Sequence, residues 1–219
     1  MDRILEPEIM DGAAEAAAYA QADFSDSNKA FVDDVIARFG AQLAQVVDFG
    51  CGPGDIALRL TRVHPDVQVT AVDGSASMLA LADTAVRAAG LDGRIALVHG
   101  RLPGLELPER SFDLVLCKDM MHHLPDPQVL WSEVKRLGKP GAAVYVMDLA
   151  RPDSPDEARA IVERVSGGED PILKEDFFNS LCAAFTADEV RAELAIAGLT
   201  LTVSQLTERH LCVRGRLPG

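Results

Sequence analysis

The residues best placed to do chemistry lie in Val46-Val-Asp-Phe-Gly-Cys-Gly-Pro-Gly54 and at Asp73. Gly50, Gly52 and Gly54 let the backbone turn sharply and pass a ligand with no Cβ in the way, and Cys51 sits inside that turn. A carboxylate at Asp73 can accept hydrogen bonds from both hydroxyls of a ribose. The spacing is Gly-x-Gly-x-Gly rather than the Gly-x-Gly-x-x-Gly of dinucleotide sites. Asp48, two residues before the turn, would repel a pyrophosphate but pair with an ammonium group. The set favours a nucleoside carrying an amino acid over one carrying phosphates. A second group is Lys118-Asp-Met-Met-His-His123. Adjacent histidines at a cleft edge can provide a general base near neutral pH, so His122 and His123 are the candidate catalytic residues.

These groups need elements to hold them. Val46–Phe49 is a short apolar run suited to a buried parallel strand. Asp55–Val63 carries Ile56, Leu58, Leu60 and Val63 at helical spacing, and Pro65 ends it. Val67–Val72 is a second strand, with Asp73 at its C-terminal end, the edge where open α/β sheets bind ligands. Arg94–His99 and Phe112–Cys117 read as the next strands, which sets Lys118 to His123 on the same edge. Ala143–Leu149 is a fifth, ending at Asp148, with Arg151 near enough to neutralise it.

Helices fill the intervals. Ala13–Ala22 has strong helix propensity. Asn28–Phe39 follows, with Ser25, Asp26 or Ser27 as cap and Gly40 as stop. Ser75 or Ser77 caps an alanine-rich helix closed by Gly90. Pro127–Leu137, Pro152–Val165 and Pro171–Ala184 are further helices, and Thr186-Ala-Asp-Glu189 is a capping-box pattern opening another. Leu199–Leu206 and His210–Arg214 read as a hairpin, with His210 within reach of the pocket or of solvent.

The chain has 219 residues, enough for one domain with a full core. Its formal net charge of −13 and lack of a basic run argue against nucleic acid as partner. Cys51, Cys117, Cys182 and Cys212 lie far apart, which reads as reduced, buried thiols rather than disulfides, and no metal-ligand set is expected. No apolar run of 18 residues occurs and the N-terminus lacks a leader pattern, so a cytoplasmic protein with no membrane partner is expected.

From Val46 to Asp73 the sequence resembles motif I of the class I S-adenosylmethionine-dependent methyltransferases. Ser111-Phe-Asp-Leu-Val-Leu-Cys117, Met121-His-His-Leu-Pro-Asp-Pro127 and Leu137-Gly-Lys-Pro-Gly141 resemble that family's later motifs, in the same order. The resemblance implies an α/β, doubly wound (Rossmann-like), mostly parallel seven-stranded sheet with an antiparallel last strand. It also implies S-adenosyl-L-methionine as cofactor and methyl transfer to a small molecule. Asp73 falls on the family's ribose acid, Gly74, Ser75 and Met78 on its nucleoside contacts, and Lys118 near its methionine carboxylate. Arg101 stands where many members carry an acid for the adenine amino group. A guanidinium cannot accept that hydrogen bond, so Arg101 stacks on the purine or points to solvent, leaving backbone groups at Arg101 and Leu102 to read the ring edge. Residues 1–40 correspond to an N-terminal helical lid, with Tyr19 and Phe24 as candidate contacts. Residues 150–185 form a helical insertion near the substrate, with Phe177, Phe178, Asn179 and Phe185 as its lid residues. The Asn/Asp-Pro-Pro-aromatic motif of adenine DNA methyltransferases is missing. Two other classes fit less of the pattern: a cofactor-binding sensor or assembly protein without transferase activity, and a nicotinamide-dependent oxidoreductase. Transfer to arsenic or another thiophile, with Cys182 or Cys212, is a subordinate option. Oligomeric state is left open.

Overall fold

The computed structural model describes residues 1–6, 24–40 and 43–219. Tyr19 and the Ala13–Ala22 segment lie outside the described residues.

Seven strands form one sheet: β1 (Gln45–Phe49), β2 (Gln68–Asp73), β3 (Ile95–His99), β4 (Phe112–Lys118), β5 (Gly138–Leu149), β6 (Thr202–Thr207) and β7 (His210–Arg216). Their spatial order is β3-β2-β1-β4-β5-β7-β6. β7 runs antiparallel to both β5 and β6, and the other pairings are parallel. The central strands are covered on both faces, which is why they read as unbroken apolar runs rather than alternating ones. Val46, Val47, Leu114, Val115, Val144 and Val146 are all 0% exposed.

The helices are α1 (Ser25–Phe39), α2 (Asp55–Val63), α3 (Ala76–Ala88), α4 (Gln128–Leu137), α5 (Pro155–Ser166), α6 (Pro171–Ala183) and α7 (Ala187–Ala197). α1, α2 and α3 pack on one face around Phe31, Ile56 and Val86. α4 and α7 pack on the other around Trp131 and Leu194. α5 and α6 form a smaller cluster on Leu149 at the cleft end of β5.

Three boundaries differ from expectation. α1 starts at Ser25, so Ser25, Asp26 and Ser27 lie in its first turn; Phe24 is the N-cap and makes no side-chain cap bond. Asp26 there suits the positive end of the helix dipole. Gly40 stays right-handed at φ −53°, so it is not the left-handed stop expected of it. β5 begins at Gly138, because Gly138 pairs with Phe112 and a register shift before Leu114 absorbs the extra residues around Gly141. The capping box at Thr186 and Glu189 forms as expected.

Candidate active site

The strand order reverses between β1 and β4, so the loops leaving their C-terminal ends diverge and open a crevice. Gly50 follows β1. Its N–H and that of Cys51 both donate to the Val72 carbonyl, at 2.9 and 3.0 Å, which folds the turn onto β2. Gly50 has φ +70°, and a Cβ there would lie 2.5 Å from Cγ of Met120. Gly50→Ala therefore combines a left-handed L-residue with a clash, and should lower stability by about 2 kcal/mol, read as a lower midpoint in urea unfolding.

Asp73 closes the turn from the other side. Its Oδ2 accepts from the Gly52 N–H at 2.7 Å and its Oδ1 from the Ser75 N–H at 2.8 Å. Each oxygen keeps a second acceptor position. Ser75 also caps α3 by accepting from the Met78 N–H.

Three cavities meet here, and Lys118 lines all of them. The first, of about 290 Å³, runs over Asp73, Gly74, Met78, Arg101 and Leu102. The second, of about 320 Å³, lies between the glycine turn and α1, walled by Asp48, Cys51, Gly52, Asn28 and Phe24. Asn28 is fixed by donating to Asp55 at 2.8 Å. The third, of about 310 Å³, extends toward α5 and α6 past Asp119, His122, Phe177, Arg209 and His210.

Asp48 is 1% exposed, and its Oδ2 has no hydrogen-bond partner. Burial, and then the nearby Asp73, push its carboxyl up to about 7. Asp119 sits between the first and third cavities with φ +52° and an unpartnered Oδ1, while its Oδ2 is ion-paired to Lys118. Burial would raise its pKa, but the charges of Lys118 and His210 hold it low. Burial pushes the pKa of His210, on the third cavity wall, down.

His122 and His123 lie on a single 3₁₀ turn after β4. Parallel pairing of Lys118 with Met147 brings that turn beside the end of β5. There Asp148, 0% exposed, accepts from the Met121 N–H and contacts His122 Nδ1, both at 2.6 Å. Burial would lower the His122 pKa, but the Asp148 carboxylate overcomes it and the net shift is upward. His123 Nδ1 lies 2.5 Å from Glu6, whose other oxygen accepts from the Ser180 hydroxyl at 2.6 Å. Residues 1–6 reach this place through Arg3, which donates to the carbonyls of His122 and Leu124 at 2.8 Å and of Ala183 at 2.5 Å. Its guanidinium also stacks 3.8 Å from the Phe185 ring.

The structure thus gathers Asp48, Gly50, Cys51, Gly52, Asp73, Gly74, Ser75, Met78, Arg101, Leu102, Lys118, His122 and His123 around one crevice. Gly54 is an exception. It lines none of the three cavities, and its φ of +85° serves the start of α2 against Ala82. Of the expected lid residues Phe177 and Phe178 both pack on the α5–α6 cluster, Phe177 also lines the third cavity, and Phe185 lies in the main core. Asn179 lines none of the three. Cys182 and Cys212 are buried and line none of the three cavities. Asp119, Arg209 and Glu6 were not singled out from the sequence. A strand-ending acid was the one signal for Asp148. No described helix is long and apolar enough to cross a membrane.

Residues 46–141 match the methyltransferase domain family. The 27-O-demethylrifamycin SV methyltransferase of Amycolatopsis mediterranei is 28% identical over 155 residues, 71% of this chain and 53% of that protein. The demethylmenaquinone methyltransferase of Geobacillus kaustophilus is 32% identical over 122 residues, 55% of this chain and 52% of that one. The chain thus spans about half the length of these curated relatives. A crystal structure of a SAM-dependent methyltransferase from Aquifex aeolicus superimposes with a TM-score of 0.72 at 20% identity, over 94% of this chain and 98% of that one. The family match takes in the glycine turn, Asp73 and the histidine turn, and with these relatives it supports a class I S-adenosylmethionine-dependent methyltransferase.

Proposed function

We propose that this chain transfers the methyl group of S-adenosylmethionine to a protonated heteroatom, a hydroxyl above all, of a small molecule. The observation that carries the reading is the junction of three cavities at Lys118, each walled by groups of a different chemistry. The unpartnered Asp48 oxygen in the second cavity fits a group bearing an ammonium. The remaining acceptor positions of Asp73 fit ribose hydroxyls, Met78 and Leu102 flank a purine, and the Arg101 side chain provides a planar cation to stack on it. Lys118 is the ammonium partner for the donor's carboxylate.

When bound, the donor supplies a methyl group on a sulfonium, an already activated leaving group. The chain's own part is to hold donor and acceptor in line, which is worth several orders of magnitude in effective molarity. It must also remove the acceptor's proton. Asp148 accepts the Nδ1–H of His122, so the lone pair at Nε2 takes the proton while the acceptor's oxygen bonds the methyl carbon. The acidic chain and its mixed polar third cavity support a small molecule rather than a nucleic acid. The four unbridged, buried thiols support a reducing, cytoplasmic setting.

The test is calorimetric titration with S-adenosylmethionine, S-adenosylhomocysteine and NAD, in two buffers of different ionisation enthalpy. Micromolar binding of the first two is expected. Below pH 7 the Asp48 carboxyl is protonated, and an ammonium beside it expels the proton. Binding should therefore release a proton, tighten as pH rises toward 7 and level off above it. Asp48→Asn should abolish the buffer dependence. Binding of NAD alone would overturn the reading, and donor binding without turnover on any acceptor would favour a sensor.

A further inference from the structure

We propose that Glu6, His122 and His123 form a binding site for a divalent transition-metal ion in the wall of the third cavity. Among the described residues this is the set of three potential ligands whose donor atoms all lie within 4.8 Å of one another. An ion bonded at about 2.0–2.2 Å spaces its ligands by about 3–3.5 Å, so small side-chain shifts close the site.

The surroundings are those of a supported metal centre. Asp148 engages Nδ1 of His122 at 2.6 Å, which fixes the ring and leaves Nε2 as the donor. A carboxylate behind the imidazole is the usual arrangement for a metal-binding histidine, since it sets the tautomer and raises the basicity of the ligand. Ser180 similarly holds one oxygen of Glu6 at 2.6 Å and leaves the other turned to His123. The two imidazole rings lie 4.1 Å apart, tilted by 38°. His122 is buried, and Glu6 and His123 are mostly covered, so few waters compete. His122, His123 and Ser180 all line the third cavity, so the site borders the space assigned to the acceptor.

Two imidazoles and one carboxylate suit zinc, cobalt, iron or nickel. Magnesium and calcium prefer all-oxygen sets. At His122 Nε2 an ion and a proton compete for one lone pair, so the ion-bound protein has a Lewis acid where the ion-free protein has a base. Binding of the ion stands independently of methyl transfer. The sequence hid the site because Glu6 is far from the histidines along the chain and no ligand spacing links them.

The experiment is titration of the untagged chain with Co²⁺, followed by visible absorption. One equivalent should develop ligand-field bands, which Zn²⁺ displaces and Mg²⁺ at the same concentration does not. Glu6→Gln and His123→Gln should each weaken Co²⁺ binding by at least about 10-fold, with cooperative unfolding retained in both. No bands at stoichiometric Co²⁺, displacement by Mg²⁺, or unchanged affinity in the two variants would each overturn the proposal. None of these results depends on whether S-adenosylmethionine binds.

Discussion

Asp73→Ala should weaken S-adenosylhomocysteine binding by about 100-fold or more and leave the protein folded. Two charge-assisted hydrogen bonds to ribose hydroxyls are each worth about 1.5–3 kcal/mol. Their joint loss is at least about 3 kcal/mol, and every 1.4 kcal/mol is a factor of ten. The carboxylate also accepts from the Gly52 and Ser75 N–H groups. Removing it loosens the turn at Gly52, while the Gly50 and Cys51 bonds to Val72 keep the rest of the turn on β2. Asp73→Asn keeps one acceptor oxygen and should recover part of the affinity. Calorimetry on both variants decides the matter, and wild-type affinity in the alanine variant would remove Asp73 from the site.

His122→Gln should lower turnover by about 10²–10⁴-fold, the usual range for a lost general base. The Michaelis constant should change little, because the ring's task is to take a proton rather than to hold the acceptor. The pH profile separates this from loose packing. A base works when neutral, so turnover rises with pH through the His122 pKa. Burial lowers that pKa and Asp148 raises it further than burial lowers it, so the acid limb should stand above the ordinary histidine value of 6.5. In Asp148→Asn the strongest upward pull is gone and only the more distant charges of Glu6 and Asp119 oppose burial, so the limb should move to lower pH. The plateau should also fall, because a carboxamide can hold the wrong tautomer. An acid limb unmoved by Asp148→Asn would show that another group takes the proton. The same linkage bears on stability. With its folded pKa raised, the charged His122–Asp148 pair stabilises the fold at low pH and is lost as pH rises through that value.

What could be read from the sequence was local. The glycine turn, Asp73 and the Ser75 cap depend on neighbours within one β-α-β unit, where periodicity and turn chemistry fix the geometry. Asp148 was legible as the end of a strand but not as the partner of His122. That contact exists because β4 and β5 pair in parallel with Lys118 opposite Met147, and register is a property of the sheet. Gly54 looked like its two neighbours, yet its left-handed backbone starts a helix instead of facing the crevice. Phe177 and Phe178 both pack on the α5–α6 cluster, but adjacent helical positions point apart and only Phe177 also lines the third cavity. Arg3 and Glu6 carry no pattern that announces where residues 1–6 dock.

That docking has a consequence in time. Arg3 reaches His122 and Ala183, Ile4 pairs with Cys182, and Glu6 meets Ser180, so residues 1–6 are synthesised long before their partners exist. The glycine turn, β2 and α3 can assemble from contacts close in sequence, whereas closing such long loops is slow. The crevice therefore matures from the ribose acid outward. The wall bearing the histidines is finished last, by residues made well before it.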